Sequence, residues 1–149
     1  MSLSTSTPSH GLPPVPRGEL LARLEAVLPR HCIISETESL RPFECDALTI
    51  YRELPLLVAL PETVEQVQQV LRICHELAVP VVARGAGTGL CAGSMPHPEG
   101  LLLGLSKLDR VLEIDPLART ARVQPGVSNS AISAAVARHD LYYGPDPSS

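Results

Sequence analysis

The stretch that governs the fold is residues 63–93, TVEQVQQVLRICHELAVPVVARGAGTGLCAG. Its first half predicts an amphipathic helix, because apolar residues recur at the spacing that places them on one helix face. Thr63 and Gln66 have the spacing of a capping box at the helix start, and Pro80 marks the helix end. The predicted apolar stripe consists of Val64, Val67, Val70, Leu71, Cys74, Leu77 and Ala78.

Apolar runs on either side of this helix predict buried strands. Residues 56–60 end at Pro61, residues 81–83 follow Pro80 directly, and residues 101–103 form a third run further along the chain. A strand, a helix and a second strand joined by short connections form a βαβ unit, in which the two strands run parallel.

The N-terminal side predicts less regular structure. Residues 1–16 are rich in Ser, Thr and Pro and are expected to form a flexible tail. Residues 18–28 carry apolar residues at helical spacing up to Pro29, and residues 32–34 suit a short strand. Residues 41–52 have no clear period and predict a loop.

The C-terminal side predicts a β-hairpin followed by a helix. Residues 111–115 and 120–124 alternate apolar and polar side chains and are joined by an Asp-Pro sequence that suits a type I turn. Residues 131–136 have helical spacing, with Ser128 or Asn129 as the cap. A βαβ unit followed by a hairpin and a helix predicts an α+β fold.

The composition narrows the classes of function. The chain has 149 residues, enough for one ordinary domain, and its 44% hydrophobic content supports a buried core. A net charge of −4 and an aromatic content of 3% argue against a nucleic-acid partner, which requires a basic face and stacking rings. The N-terminus shows no secretory signal, and no apolar run approaches the ~20 residues of a transmembrane segment. The protein is therefore expected to be cytoplasmic.

The cysteines and histidines predict no metal site. Cys32, Cys45, Cys74 and Cys91 contain no C-x-x-C pair, and the five histidines show no helical pairing. Cys74 falls on the predicted apolar stripe of the helix. Structural thiols are therefore favoured over disulfides and over metal ligands.

A glycine-rich loop, residues 85–93, follows the second predicted strand and carries the candidate chemistry. Its alternating glycines allow positive φ angles and a close approach of the backbone to a ligand. Successive N–H groups in such a turn converge on an anion such as a phosphate. Leu90 stands where a Rossmann loop needs glycine, and no glycine here precedes a lysine as a Walker A loop requires. A tight turn that binds nothing remains the alternative.

Several motifs accompany this loop in a fixed order. They are Glu44-Cys45-Asp46, Tyr51-Arg52, Arg84-Gly85-Ala86-Gly87-Thr88-Gly89-Leu90, Gln124-Pro125-Gly126-Val127 and Pro145-Asp146-Pro147-Ser148-Ser149. Together they resemble the para-cresol methylhydroxylase-type FAD-binding domain of the vanillyl-alcohol oxidase family, and within it the glycolate oxidase D subunits and D-lactate dehydrogenases. The resemblance runs from about residue 38 to residue 149. It implies an α+β fold with a βαβ subdomain and the start of a second subdomain.

The resemblance implies FAD as the cofactor and gives the binding residues their roles. The backbone N–H groups of residues 84–89 are expected to hold the diphosphate, Pro61 to lie near the adenine, and Gly126 and residues 145–149 to approach the flavin. Cys91 departs from the usual small polar residue, and a packed cysteine is favoured over a loop thiol near the cofactor. The expected binding residues are Pro61, Arg84, Gly85, Ala86, Gly87, Thr88, Gly89, Gly126, Pro145, Asp146, Ser148 and Ser149.

The resemblance also implies an activity that needs more chain than is present. The implied reaction is the FAD-dependent oxidation of a small 2-hydroxy acid, glycolate or D-lactate, to the 2-oxo acid, with hydride passing to the flavin. Residues 17–149 are expected to form a partial FAD-binding domain that is inactive alone, without its C-terminal part and the substrate-binding cap domain. No residue is assigned as a catalytic base. The implied partners are other glycolate oxidase subunits, including an iron–sulfur protein, which could hold the chain at the inner membrane.

Two alternatives to this function remain. One is another flavoenzyme of the same fold, such as an alkyl-glycerone-phosphate synthase or a cell-wall precursor reductase. The other is a non-enzymatic remnant that does not hold flavin. The motif at residues 143–149 favours the 2-hydroxy-acid branch.

Overall fold

The computed structural model describes residues 17–144 and combines helices and strands as the predicted α+β class requires. The tail predicted for residues 1–16 and four expected binding residues, Pro145, Asp146, Ser148 and Ser149, lie outside the described residues. The helices are α1 (Arg17–Glu25), α2 (Thr37–Leu40), α3 (Val64–Glu76) and α4 (Asn129–Val136). The strands are β1 (Ile33–Ile34), β2 (Leu57–Ala59), β3 (Val81–Arg84), β4 (Leu101–Gly104), β5 (Val111–Asp115) and β6 (Thr120–Val123).

The first four strands form one sheet in the order β1-β2-β4-β3. β2 and β3 each pair in parallel with β4, whereas β1 runs antiparallel to β2. The predicted βαβ unit is therefore confirmed, because α3 connects two parallel strands, and β4 is inserted between them. Since β2, β3 and β4 are parallel, their carboxyl ends lie at the same edge of the sheet.

Both faces of the sheet are covered, which explains why its central strands have continuous apolar sequences. On one face, α1 and α3 pack against Leu57 and Leu101. On the other face, Val58 and Leu102 belong to a second cluster that includes Leu40. All four strand residues are at most 1% exposed. Burial of a leucine at such a position contributes about 1.5–3 kcal/mol to stability.

α3 begins as predicted, but a different set of its residues is buried. The Thr63 hydroxyl accepts from the Gln66 N–H, and Gln66 Oε1 accepts from the Thr63 N–H, which completes the capping box. Ile73 is buried, whereas Val64 and Leu71 of the predicted stripe are 51% and 43% exposed. The predicted stripe is therefore wrong at these positions, because the buried face of the helix is narrower than the apolar pattern and is centred on Ile73 and its helical neighbours.

α3 ends at Glu76, before the proline that the sequence suggested as its stop. Ala78 has a φ of 52°, and its N–H donates to the His75 carbonyl. The Val79 N–H donates to the Cys74 carbonyl. These two bonds form a Schellman motif, which satisfies the last carbonyls of a helix and turns the chain into the next element.

Four other segments differ from the sequence prediction in extent, structure or burial. α1 ends at Glu25 instead of residue 28, and the turn Arg30–Cys32 leaves only Ile33–Ile34 for β1. The predicted loop at residues 41–52 begins with a 3-10 turn, Arg41–Phe43. β3 is an edge strand with Ala83 exposed, so the prediction of a buried strand is wrong there. The reason is that β4 takes the central position beside β2.

β5 and β6 form the predicted antiparallel hairpin, with a shift of register between Val111 and Glu113. This bulge leaves Leu112 49% exposed. The predicted alternation, which placed Leu112 and Ile114 on one face, is therefore wrong at Leu112. Asp115 closes the turn, because its Oδ1 accepts from the N–H groups of the second and third residues that follow it.

α4 follows the hairpin and is capped by Ser128, one of the two predicted caps, whose hydroxyl accepts from the Ala131 N–H. Ile132 and Val136 are buried as the sequence predicted, whereas Ala131 of the same predicted apolar set is exposed. We refer to residues 17–110 as the sheet region and to residues 111–144 as the hairpin region.

Candidate functional site

The segments that carry candidate functional residues follow the carboxyl ends of the three parallel strands. β2 leads to Pro61 and Glu62, β3 leads to the glycine loop at residues 85–93, and β4 leads to Lys107. Ligands of open sheets with parallel strands bind outside the carboxyl ends of the strands. The topology therefore places the predicted phosphate-binding loop where a ligand site is expected.

The glycine loop presents unused backbone donors to solvent. Within residues 17–144, no N–H group of residues 85–91 donates a hydrogen bond to a backbone carbonyl. Gly85, Thr88 and Gly89 are exposed, and a Cβ built on either of these glycines meets no atom within 4 Å. A run of N–H groups with no backbone acceptor among the described residues, in an exposed loop, is an arrangement that can bind a phosphate.

A hydrogen bond and close packing at Gly87 fix the middle of the glycine loop. Gly87 has a φ of +73°, as predicted for a glycine turn, and its carbonyl accepts from the Ala47 N–H at 2.8 Å. A Cβ on Gly87 would lie 3.3 Å from Cδ of Arg84. Gly87 is therefore the loop position where both backbone angle and close packing require glycine.

Arg84 is buried at the start of the loop, with 7% of its surface exposed. Its Nε and Nη2 donate to the Ser94 carbonyl at 3.1 and 2.6 Å, and its Nη1 donates to the Phe43 carbonyl at 3.1 Å. Burial lowers the pKa of the guanidinium, and the nearby Asp46 carboxylate opposes that shift. The sequence predicted Arg84 as a diphosphate contact through its backbone; the structure in addition uses its side chain to join the two ends of the loop.

Asp46 lies beneath the loop and is 5% exposed. Its Oδ1 accepts from the Leu48 N–H at 2.9 Å. Its Oδ2 is buried and has no hydrogen-bond partner in the part of the chain that the structure describes. Burial of a charged carboxylate is costly, and the Arg84 guanidinium is a positive charge that interacts with it.

Two other expected binding residues are packed against the protein. Pro61 is fully buried after β2. A Cβ on Gly126 would lie 2.6–2.9 Å from the carbonyl oxygens of Leu105, Ser106 and Leu108, and the Gly126 N–H donates to the Leu108 carbonyl. Close backbone packing therefore explains the glycine at position 126. The contacts of Pro61 with adenine and of Gly126 with the flavin stay predictions.

Gln124, two positions before Gly126 in the same motif, has a structural role that the sequence did not indicate. It is 7% exposed, and its Oε1 accepts from the Arg110 N–H at 3.0 Å. The Gln124 N–H donates to the Arg110 carbonyl. These bonds close the base of the hairpin where it joins the sheet region.

The cysteines differ in burial: Cys32 and Cys74 are buried, Cys45 is half-buried and Cys91 is exposed. Cys74 is buried as predicted, and burial raises the pKa of its thiol to about 11. Cys91 in the glycine loop is exposed. The preference for a packed Cys91 is therefore wrong, because the loop curves into solvent instead of folding back onto the sheet.

The sequence missed a polar cluster at the other end of the same sheet edge. His31 Nε2 and Lys107 Nζ lie 3.0 and 2.9 Å from Glu62 Oε1, and Lys107 Nζ lies 3.5 Å from Cys32 Sγ. The hydrogen bonds from Lys107 and His31 lower the pKa of Glu62 to about 2. The donor atoms of His31, Cys32 and Glu62 lie within 4.8 Å of one another, but the Lys107 ammonium already supplies the positive charge there. The antiparallel pairing of β1 with β2 and the parallel pairing of β2 with β4 bring these residues together.

A groove of about 440 Å³ in the hairpin region was also not predicted. It lies between the hairpin and α4, and its wall includes Ile114, Thr120, Ile132, Val136 and Tyr142. These residues belong to two strands, a helix and an irregular segment, so no local pattern indicates their proximity.

The glycine loop fits the diphosphate of a dinucleotide cofactor. The N–H groups of residues 85–91 can donate to several phosphate oxygens, and no protein atom lies within 4 Å of a Cβ built on Gly85 or Gly89. The fold and the loop together define a nucleotide-cofactor module without a Rossmann or Walker A loop.

A family model described as an FAD binding domain matches residues 55–149. The chain therefore belongs to the FAD binding domain family, and FAD is its cofactor. It is 52% identical over 138 residues to glycolate oxidase subunit GlcD of Escherichia coli strain K12, a match that covers 93% of this chain and 28% of that protein. It is 36% identical over 91 residues to D-lactate dehydrogenase of Archaeoglobus fulgidus, covering 61% of this chain and 20% of that protein.

Solved structures agree on the fold. p-Cresol methylhydroxylase with substrate bound matches 83% of this chain and 25% of its own length, with a TM-score of 0.68 and 22% identity. Alkyldihydroxyacetonephosphate synthase matches 99% of this chain and 29% of its own length, with a TM-score of 0.78 and 17% identity. The predicted para-cresol methylhydroxylase-type fold is confirmed.

The chain spans 28% of the length of its E. coli relative. Among the helices of residues 17–144, none combines the length and the apolar character needed to cross a bilayer.

Proposed function

We propose that this chain is the FAD-binding part of a flavin-dependent oxidoreductase that oxidises a small 2-hydroxy acid, glycolate or D-lactate, to the 2-oxo acid. The observation that carries the proposal is the exposed glycine loop with unused N–H groups, in a chain 52% identical to a glycolate oxidase subunit. FAD, when bound, supplies the two-electron redox chemistry that side chains lack.

The residues of this chain serve to bind and orient the cofactor. The N–H groups of residues 85–91 and the Thr88 hydroxyl hold the diphosphate, and the sheet beneath keeps them in place. Pro61, Gly126, Pro145, Asp146, Ser148 and Ser149 complete the proposed set of binding residues. No residue of this chain is assigned to proton transfer, and the 2-hydroxy acid binds outside it, so residues 17–149 act as a partial FAD-binding domain.

We extend the proposal to the partners and location of the protein, on the basis of its similarity to the E. coli relative. The E. coli relative is named as a subunit, which supports an assembly with further glycolate oxidase subunits. An iron–sulfur protein among them would carry electrons away from the flavin. The complex would then be cytoplasmic, or peripheral at the inner membrane through those partners.

Gel filtration of the purified chain with FAD tests the cofactor part of the proposal. The flavin absorbance band should co-elute with the wild-type chain and with the control Gly18→Val. It should not co-elute with Gly89→Val, whose new side chain occupies open space in the loop without meeting protein atoms. The positions match as controls because a Cβ at either meets nothing within 4 Å. A colourless wild-type peak would overturn the assignment and favour a remnant that does not hold flavin.

A chimera tests whether this chain can serve as the FAD-binding part of a 2-hydroxy-acid oxidase, with the substrate-binding part supplied by the E. coli protein. The 138 residues that match E. coli GlcD replace the corresponding segment of that protein, and the rates of glycolate and D-lactate oxidation are measured. Retained activity on either acid supports the proposal. A chimera that binds FAD but oxidises neither acid would contradict it and favour another flavoenzyme of this fold.

A further inference from the structure

The glycine loop is tied at its base by one buried side chain. Arg84 directly precedes the loop and Ser94 directly follows it, and two guanidinium nitrogens of Arg84 donate to the Ser94 carbonyl. The third, Nη1, donates to the Phe43 carbonyl on the segment beneath. One planar group therefore fixes the separation of the loop ends and their position over residues 43–47.

A second tie acts at the middle of the loop. The Ala47 N–H donates to the Gly87 carbonyl at 2.8 Å. Gly87 also lies against the Arg84 side chain, since a Cβ there would be 3.3 Å from Cδ of Arg84. The loop carbonyl at Gly87 points into these contacts, and the N–H groups of residues 85–91 have no backbone acceptor among the described residues.

Asp46 is the buried carboxylate whose charge raises the pKa of the Arg84 guanidinium, against the lowering effect of burial. It is 5% exposed, and one of its oxygens has no hydrogen-bond partner among the described residues. Its position in the chain directly precedes Ala47, the residue that holds Gly87. Residues 46 and 47 therefore bring the charge that acts on Arg84 and the backbone contact with Gly87 into one short segment.

We propose that Arg84 and Asp46 form a buried clasp that holds the glycine loop in the shape that binds a diphosphate. Both are positioning residues, because the guanidinium acts on the loop through Ser94 and the carboxylate acts through Arg84 and Ala47. This inference rests on the proposed FAD-binding function and deepens it. Arginine is needed because lysine has a single nitrogen and cannot reach the Ser94 and Phe43 carbonyls with the same fork.

The affinity arm of the test uses the 149-residue chain and titrates FAD and ADP, which shares the diphosphate with FAD. Arg84→Met and Arg84→Lys should each raise the Kd for both ligands about tenfold or more. Asp46→Asn preserves the acceptor for the Leu48 N–H, removes the charge, and should raise both Kd values about threefold. The control is Arg122→Met, which removes an exposed arginine paired with Glu113 on the hairpin, and both Kd values should stay within about twofold.

The loop-order arm needs no ligand. ¹⁵N heteronuclear NOE values at Gly85 and Gly89 should match those of the sheet strands in the wild-type chain and in Arg122→Met. They should fall in Arg84→Met and Asp46→Asn while the values in β2 and β4 are unchanged. A residue with a merely structural role would lower stability without this local change. Circular dichroism confirms that each variant is folded, and Asp46→Asn keeps the test valid if Arg84→Met does not fold.

The possible outcomes distinguish a failure of the proposed clasp from a failure of the proposed FAD-binding function. Unchanged Kd values in the Arg84 and Asp46 variants of a chain that binds FAD would overturn the clasp alone. A loop that is equally ordered in every variant would also overturn it. A wild-type chain that binds neither FAD nor ADP would overturn the proposed function, on which the assignment of both residues depends.

Discussion

The sheet region and the hairpin region bury their apolar residues to very different degrees. In the sheet region, strand residues such as Leu57 and Leu102 are fully buried between layers on both faces. In the described part of the hairpin region, Ile132 and Val136 are the only buried hydrophobic residues, and they remain 8% and 7% exposed. Leu112 in β5 is 49% exposed. The sheet region therefore holds most of the stabilising core, and the hairpin region depends on its attachment to it.

The largest expected effect is the difference in unfolding free energy between two leucine substitutions, one in each region. Leu101→Ala removes a side chain that is 1% exposed in the central strand β4 and should cost about 2–5 kcal/mol of unfolding free energy. Leu112→Ala in the half-exposed bulge of β5 should change it by less than about 0.5 kcal/mol. Urea unfolding of both variants measures the difference. Equal losses of unfolding free energy would mean that apolar packing stabilises the hairpin region as much as the sheet region.

The next effect tests the attachment between the regions. Gly126→Ala forces a methyl group towards three backbone carbonyls of residues 105–108, which cannot rotate away, and should cost about 1–3 kcal/mol. Gly18→Ala is the matched control, because nothing lies within 4 Å of its Cβ position and alanine favours a helix. Thermal unfolding of the two variants checks this. A neutral Gly126→Ala variant would show that the contact does not hold the hairpin region in place.

A smaller effect compares the helix caps of the two regions. Thr63→Ala breaks a capping box with reciprocal hydrogen bonds and should cost about 1 kcal/mol. Ser128→Ala breaks a single cap bond on the shorter helix α4 and should cost less. Hydrogen exchange locates each loss, with faster exchange along α3 in the first variant and only in α4 in the second. Global loss of protection on Ser128→Ala would contradict the division into regions.

The smallest effect is the pH dependence of the polar cluster at the sheet edge. The pKa of Glu62 in the folded chain is about 2, below its ordinary 4.5, because Lys107 and His31 hydrogen-bond to its charged form. Its contribution is therefore present above pH 4.5 and is lost as the pH falls towards 2. Wild type should have a Tm about 2 °C above that of Glu62→Gln at pH 7, and the two should converge near pH 2. A difference that persists at the lowest pH would exclude the ion pairs as its cause.

The sequence was informative where a local period or a cap determines structure. The capping box at Thr63, the parallel strands on either side of α3 and the cap at Ser128 follow from short-range patterns, and all are confirmed. The insertion of β4 between β2 and β3 was not predictable, because strand order depends on long-range pairing. For the same reason β3 was expected to be buried and is an edge strand.

The candidate site shows the same limit. The glycine loop was identified from its alternating glycines, and its positive φ at Gly87 follows from that composition. The clasp was not predictable, because Arg84 meets the Phe43 carbonyl across 41 positions of the chain. Exposure of Cys91 was also missed, since a short apolar context does not show whether a loop faces solvent.

The most direct test of the account is a titration of the ¹⁵N-labelled chain with ADP, followed by amide chemical shifts. The largest shift changes should fall on the N–H groups of residues 85–91, because those exposed donors are the proposed diphosphate site. Amides of the groove beside Ile132 and Tyr142 should change little. Shift changes centred on that groove, or none at all, would contradict the assignment of the glycine loop as the diphosphate site of FAD.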